Sequence, residues 1–155
     1  MKIYDSHCDI LTKLKENEEL YQNNNDFNVK EFIKVGGKLQ FTAIQLPKQL
    51  RYIGGAKFVI EKVMLLYNEM KKMQDKNIIV NVIKNGKDLN KVDSSDISFL
   101  LSLEDGGAIE ESLEVLEAFY YLGIRTIGLT WSYRNAISDG INEEVSKSGL
   151  TFFGK

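Results

Sequence analysis

His7 and Asp9 are the first side chains in the sequence whose types and spacing suit metal chemistry. In an extended segment, residues i and i+2 project to the same side, so an imidazole and a carboxylate at this spacing can converge on one cation. The alternative is a hydrogen-bonded surface or core histidine, which is the commoner role for a single histidine near a strand end. Spacing alone leaves both interpretations open.

Glu104 is the second candidate, because it follows an almost continuously apolar segment, ISFLLSL. A charged group there is costly unless it is paired or bound to a metal, and in parallel α/β folds binding sites form at the carboxyl ends of strands. The alternative is a carboxylate that caps the next helix or pairs with a lysine. Asp105 suits capping better, which leaves Glu104 available for a site.

The loop after a fourth apolar segment holds the third candidate group, which contains Trp131 and Asn135. We interpret these two residues as part of a substrate pocket, although local packing is the commoner role of a loop tryptophan. Ser132 has no histidine partner except His7, so a Ser-His-Asp triad is not expected. The pair Gly106-Gly107 lacks the rest of a P-loop or dinucleotide motif, and nucleotide binding is therefore rejected.

The elements that must position these residues follow from the hydrophobic pattern. Strands are expected in four apolar segments, at 2–6, 38–46, 97–103 and 125–130. A fifth, peripheral strand is expected at 78–83. A long helix is expected between Gly54-Gly55 and Asn77, since apolar residues recur there at steps of three and four.

Weaker patterns complete the assignment. Residues 14–34 are polar and indicate a surface excursion with one or two helical turns, and 86–92 indicates a turn of helix. Another amphipathic helix runs from Ile109 to Phe119, with Glu110 and Glu111 in its first turn and Gly123 at its end.

Strands that alternate with helices or long excursions pair in parallel, which predicts an α/β fold, either doubly wound or a barrel. A (β/α)8 barrel needs about 250 residues, and the strands counted here amount to about half of one. The segment 148–155 has the pattern of a loop, a helix cap at Thr151 and a first helical turn. We therefore expect residues 1–155 to be the N-terminal half of a barrel in a truncated chain.

Composition excludes several function classes. The 155 residues carry a net charge of -2 with both signs interspersed, so no basic face is available for nucleic acid. Cys8 is the single cysteine, which excludes an intramolecular disulfide and a cysteine-based zinc finger. No signal peptide and no apolar run of about 18 residues is present, so a soluble, cytoplasmic protein without membrane association is expected.

Taken together, several short segments resemble the membrane (renal) dipeptidase family, dinuclear zinc dipeptidases built on an amidohydrolase-like barrel. Asp5-Ser6-His7-Cys8-Asp9 is similar to the family's D-x-H-x-D opening, and Ser102-Leu103-Glu104-Asp105-Gly106-Gly107 to its S-[IL]-E-G-G segment. The other similar segments are Gly36-Gly37-x-Leu39-Gln40-Phe41, Tyr121-Leu122-Gly123-Ile124-Arg125 with Leu129-Thr130, and Gly149-Leu150-Thr151-x-Phe153-Gly154.

The resemblance implies a parallel (β/α)8 TIM-barrel type fold, of which this chain is the first half. It implies that His7 and Asp9 ligate one Zn2+ and that Glu104 bridges two, since two metals about 3.5–4 Å apart can share a carboxylate. It further implies a hydrolase that cleaves dipeptides through a metal-bridging hydroxide, and a homodimer.

Two departures limit what the resemblance implies. The family places its remaining histidine ligands and its general acid/base aspartate beyond Lys155, so no catalytic residue is assigned within this chain and the chain alone is expected to be inactive. Trp131 stands where mammalian members have a histidine that stabilises the tetrahedral intermediate. The alternatives are a non-catalytic half-barrel that serves as a binding or assembly module, and another amidohydrolase-like metal-dependent hydrolase.

Overall fold

The computed structural model describes residues 1–143 and 148–155. Strands and helices alternate along the chain. The strands are β1 (Ile3–Cys8), β2 (Gly37–Gln45), β3 (Val80–Val82), β4 (Ile97–Glu104) and β5 (Ile124–Ile127). The helices are α1 (Ile10–Lys13), α2 (Val29–Lys34), α3 (Gly55–Asp75), α4 (Gly86–Leu89) and α5 (Leu113–Leu122), with short 3-10 helices at Lys48–Leu50 and Gly106–Ile109.

The five strands form one sheet in which every strand pairing is parallel. Their order is β1-β2-β4-β3, and β5 also pairs with β4. β2 runs along one edge of β4, whereas the opposite edge is divided: β3 pairs with the first residues of β4, and β5 with its last. Because all strands point the same way, the carboxyl ends of β1, β2, β4 and β5 lie along one edge of the sheet, here called the mouth.

β4 is the central strand. Its face that carries Phe99, Leu101 and Leu103 is buried, whereas Leu100, Ser102 and Glu104 on the other face are only half-buried. Phe99 and Leu101 are fully buried and Leu103 is 1% exposed, which confirms the strand that the apolar run predicts. β3 matches the expected peripheral strand, although it is shorter than the segment 78–83. The prediction that β4 is buried on both faces is therefore confirmed for one face only, since the face that carries Leu100 and Ser102 is half-buried.

α3 covers the sheet through the residues that its periodicity predicts. Val59, Val63, Leu66, Met70 and Met73 are buried, while the exposed face is mostly polar but includes Ile60 and Met64. Within the described part of the chain, no helix combines the length and the apolar character needed to cross a membrane.

The segment 14–34 is more than a surface excursion, because Leu20 and Val29 are fully buried in the core. The contact that anchors it is made by Glu69 of α3, whose side chain is 2% exposed. The Glu69 carboxylate accepts a hydrogen bond from the Leu20 amide at 2.7 Å and another from the Lys72 ammonium at 2.6 Å. A buried carboxylate on an otherwise apolar helix face therefore holds this segment against the core.

The start of α5 differs from the expectation. Glu110 and Glu111 are outside the helix, with positive φ angles of 51° and 59°, and they connect the 3-10 helix Gly106–Ile109 to α5. The cap is Ser112, whose hydroxyl accepts a hydrogen bond from the Val115 amide. At the other end Gly123 has φ 113°, in the left-handed region, which confirms its expected role at the helix end.

Candidate metal centre

His7, Asp9 and Glu104 lie at the mouth of the sheet. β1 runs to Cys8, further than the expected end at Ser6, so His7 is inside the strand and Asp9 directly follows it. Glu104 is the last residue of β4. β2 lies between these two strands and pairs with both, and its last residue, Gln45, is the register partner of Glu104.

The three side chains converge. The Nε2 atom of His7 lies 3.3 Å from Oδ1 of Asp9 and 3.7 Å from Oε2 of Glu104. One ligand atom from each residue can be chosen so that all three lie within 4.8 Å of one another. The imidazole is 57% exposed, while each carboxylate is 20% exposed. The cluster therefore has an open side at His7 and a closed side at the two acids.

Two oxygens of this cluster are left without a hydrogen bond. Oδ1 of Asp9 and Oε2 of Glu104 are buried, and neither accepts a hydrogen bond from residues 1–143 or 148–155, since the nearby His7 nitrogen lies at ion-pair distance without hydrogen-bond geometry. A buried charged acceptor without a partner is costly. An imidazole nitrogen and two carboxylate oxygens are ligands that zinc accepts, so the donor set fits a cation between them.

The electrostatics of the cluster agree with this fit. Burial raises the pKa of Glu104 above its usual range, and the neighbouring Asp9 and Asp105 carboxylates raise it further, against the opposing effect of His7. Burial also raises the pKa of the Cys8 thiol. Two acids held together away from water repel each other, and a bound cation would reverse that repulsion.

Only three potential ligands meet here in the described residues. No other histidine, cysteine or acidic side chain of residues 1–143 and 148–155 joins the group. Asp5, from the same opening motif, stays outside it, and one of its carboxylate oxygens accepts a 3.3 Å hydrogen bond from the His7 amide. The cluster thus offers the ligands of one cation site.

Trp131 lies beside the mouth, with 51% of its surface exposed. It lines a cleft of about 460 Å³ whose other walls include Gln45 and Lys48. Gln45 pairs in register with Glu104, so this cleft adjoins the strand ends that carry the cluster. A pocket role for Trp131 stays a prediction with this placement.

Asn135 occupies a different environment from the one expected of a pocket residue. Its side chain is buried, at 1% exposure, and both polar atoms are engaged. Nδ2 donates to Oδ1 of Asp105 at 2.6 Å and to the Leu129 carbonyl at 2.8 Å, and Oδ1 accepts from the Ile137 and Ser138 amides. Asn135 therefore connects two loops internally, a role that no pattern in the sequence indicates. It also lines a cleft of about 370 Å³ beside Tyr52 and Thr151, and its pocket role stays a prediction.

Comparisons with known proteins bear on this site. The sequence profile described as "Membrane dipeptidase (Peptidase family M19)" matches residues 1–155. A crystal structure described as the dipeptidase AC, a metallopeptidase of family M19, is similar over 99% of this chain, with a TM-score of 0.83 and 19% identity. A metallopeptidase from Rhodobacter sphaeroides, liganded with a phosphinate mimic of the dipeptide L-Ala-D-Ala, matches 99% of the chain at 17% identity and a TM-score of 0.76. An amidohydrolase from Pseudomonas aeruginosa matches 99% of it at 16% identity and a TM-score of 0.72.

These likenesses confirm the expected fold. The chain covers 51%, 54% and 40% of the three structures, and therefore spans about half the length of the proteins that it matches. Its parallel α/β sheet corresponds to half of the TIM barrel of the M19 dipeptidases. With its whole length matched by the family's profile, the chain belongs to the membrane dipeptidase family, peptidase family M19.

Proposed function

We propose that this chain supplies half of the active site of a zinc-dependent dipeptidase, a hydrolase that cleaves the peptide bond of dipeptides. The observation that carries the proposal is the convergence of His7, Asp9 and Glu104 around two buried oxygens that accept no hydrogen bond. Family membership supports the reaction class, and the dipeptide mimic bound by the Rhodobacter sphaeroides structure supports the substrate class.

Each residue of the cluster has a distinct task in this proposal. His7 supplies a nitrogen ligand through Nε2, and Asp9 supplies a carboxylate oxygen that offsets the charge of the cation. Glu104 has two carboxylate oxygens, so it can contact two cations, in line with two Zn2+ per complete site. When bound, zinc supplies Lewis-acid activation of water and of the peptide carbonyl.

The substrate is proposed to lie against the Trp131 cleft. The half-exposed indole offers an apolar surface, and Gln45 and Lys48 supply polar groups on the same walls. Lys48 is held in place beside the Tyr133 ring, with Nζ 3.9 Å from the ring centroid. A cleft with aromatic walls, from Trp131 and Phe58, and a few polar groups suits a small ligand such as a dipeptide.

Zinc titration of the 155-residue chain tests the cluster. We expect weak zinc binding by isothermal titration calorimetry, because Glu104 would be shared by two zinc ions in the complete site and the described residues offer no further ligand for the second ion. Glu104→Gln should abolish that binding. Glu61→Gln, which removes an exposed carboxylate on α3, should leave it unchanged. Equal binding by all three proteins would contradict the assignment.

Hydrolysis is tested on the complete product of the reading frame that encodes the chain. We expect dipeptide cleavage that a chelator abolishes, and no cleavage by the 155-residue chain alone. The substrate panel should include a cyclic amide, because the fold is shared with an amidohydrolase. Turnover of dipeptides by the isolated chain would show that the residues completing the site have been misjudged.

A second candidate function is a non-catalytic assembly module, and a specific surface favours it. An apolar cleft of about 410 Å³ lies between α5 and β5, lined by Leu116, Phe119 and Ile127 among others. Leu113 and Tyr121 are exposed on α5. Under this alternative the chain pairs with a copy of itself or with another chain, and Glu104→Gln leaves that association unchanged.

A further inference from the structure

We infer that Asp105 and Asn135 are positioning residues for the Glu104 carboxylate, because together they lock the backbone turn that directly follows it. This inference rests on the proposed cation site and adds to it the residues that fix one of its ligands. Neither residue belongs to the cluster itself.

The backbone of Asp105 is the first sign of a held turn. Its φ is 83° and its ψ 102°, in a region that favours glycine, although two glycines stand immediately after it in the sequence. A non-glycine residue persists in such a conformation only where the surrounding structure holds it there, and such residues cluster at functional sites. The turn that ends β4 is therefore maintained by contacts and not by backbone preference.

One oxygen of the Asp105 side chain accepts the two hydrogen bonds that hold this turn. Oδ1 of Asp105 accepts hydrogen bonds from the Gly107 amide at 2.9 Å and from Nδ2 of Asn135 at 2.6 Å. The Asp105 residue is 5% exposed and Asn135 1% exposed, so water does not compete for these bonds. Through its other bonds, to Leu129, Ile137 and Ser138, Asn135 ties this turn to the loop after β5.

The backbone and the packing close the turn from the other sides. The Gly106 amide donates to the Gly128 carbonyl at 2.7 Å, and the Gly128 amide donates to the Leu103 carbonyl at 2.9 Å. A methyl group added at Gly107 would lie 3.1 Å from Cβ of Asn135 and 3.1 Å from Oδ1 of Asp105. Packing around Gly107 is therefore tight on the side of Asp105 and Asn135.

The Glu104 carboxylate depends on this turn. Its Oε2 is buried and accepts no hydrogen bond, so that oxygen is not fixed by any side chain of the described structure. Its position follows from the backbone of Glu104, which β2 fixes on one side and the Asp105 turn on the other. Loosening the turn should therefore misplace a ligand without removing it.

Cobalt(II) binding to the full 155-residue chain tests the inference, since the visible absorption of the ion reports its coordination geometry. Asp105→Gly adopts the positive φ without strain but removes the shared oxygen, and Asn135→Ala removes the other partner. Asp105→Asn keeps an oxygen acceptor for the Gly107 amide. Thermal unfolding in EDTA is measured for every variant.

We expect Asp105→Gly and Asn135→Ala to bind cobalt 10–100-fold more weakly, as supporting residues of metal ligands typically do, with an altered absorption spectrum. Asp105→Asn should recover part of the affinity. The control Asn28→Ala removes the cap of α2, where Oδ1 of Asn28 accepts a hydrogen bond from the Glu31 amide. It should lower the melting temperature and leave the cobalt spectrum and affinity unchanged.

Two results would overturn the inference. In the first result, a folded Asp105→Gly chain binds cobalt with the affinity and spectrum of the wild type, while Glu104→Gln abolishes binding. That result refutes the positioning role and leaves the cation site supported. The second is cobalt binding that Glu104→Gln does not affect, or none by the wild-type chain, which refutes the cation site and the positioning role together. If Asn135→Ala fails to fold, Asp105→Gly alone decides between these outcomes.

Discussion

Glu104→Gln is expected to stabilise the metal-free chain and to abolish the stabilisation that zinc confers. The Glu104 carboxylate is 20% exposed, and its Oε2 accepts no hydrogen bond from the described residues. Burial and the Asp9 carboxylate raise its pKa, so its charged form is less favourable in the folded chain than in the unfolded one. Glutamine keeps the size of the side chain and removes the charge.

The size and pH dependence of the gain follow from the structure. An unsatisfied buried acceptor costs about 1–3 kcal/mol and more when it is charged; because the glutamine amide stays unsatisfied and a fifth of the side chain is exposed, we expect removal of the charge to gain only about 1 kcal/mol at pH 7. For a chain of this length that corresponds to about 2–4 °C in melting temperature. Since the folded-state pKa is raised, the cost of the charge is full above that pKa and disappears as the pH falls below the ordinary value of 4.5. The variant and the wild type should therefore converge in acid.

With zinc, the wild type should have the higher melting temperature of the two proteins, the reverse of the order expected in EDTA. At a free zinc concentration 100 times the dissociation constant, binding stabilises the folded state by about 2.7 kcal/mol. The wild-type melting temperature should then rise by about 5–11 °C. Glu104→Gln, which lacks one of three ligands, should not rise.

Thermal unfolding followed by circular dichroism, in EDTA and in excess zinc, measures both effects, with Glu61→Gln as the control. A lower melting temperature for Glu104→Gln in EDTA would show that the carboxylate makes a stabilising contact without metal. An equal rise with zinc in both proteins would show that Glu104 is not a ligand.

Three further predictions concern other parts of the molecule. Glu69→Ala leaves the buried Leu20 amide without its acceptor, and should lower the free energy of unfolding, measured in urea, by about 2–3 kcal/mol. Glu69→Gln keeps an oxygen and should lower it by less than half of that. Equal losses in the two variants would contradict the role of the acceptor. Because burial raises the pKa of the Cys8 thiol, iodoacetamide should alkylate it at pH 8 more slowly than a free cysteine, and an equal rate would contradict this. The apolar cleft beside α5, with Leu113 and Tyr121 exposed, should cause self-association at micromolar concentration, measured by light scattering and reduced in Leu113→Lys; a wild-type monomer would contradict it.

The sequence predicts those parts of the fold in which the burial of apolar side chains within one element decides the structure. The almost continuous apolar run of β4 predicts a buried strand whose bounds agree with the structure to within one residue, although one of its faces is only half-buried. The three-and-four spacing in α3 places its buried residues correctly. The positions of His7, Asp9 and Glu104 at one edge follow from parallel strands alone, because their carboxyl ends must meet.

The parts that the sequence does not predict depend on contacts between distant segments. The bond from the Leu20 amide to Glu69 makes a polar segment part of the core, and neither residue shows this by its type or spacing. Asparagine is a residue type typical of exposed loops. Asn135 is buried only because its loop packs against the turn at Asp105. The helix start is also mispredicted, because two acids before an apolar run are typical of a first helical turn. In the structure Glu110 and Glu111 have positive φ angles and precede the helix.

The dependence of the sheet on β4 has a consequence for biosynthesis. β2 is complete at Gln45, but its second neighbour begins only at Ile97. At 5–20 residues per second, the roughly 50 intervening residues take about 3–10 s to be synthesised. During that interval one edge of β2 exposes its backbone N–H and C=O groups, in a segment rich in apolar and β-branched residues. We therefore expect the nascent chain to be prone to aggregation between the synthesis of β2 and that of β4.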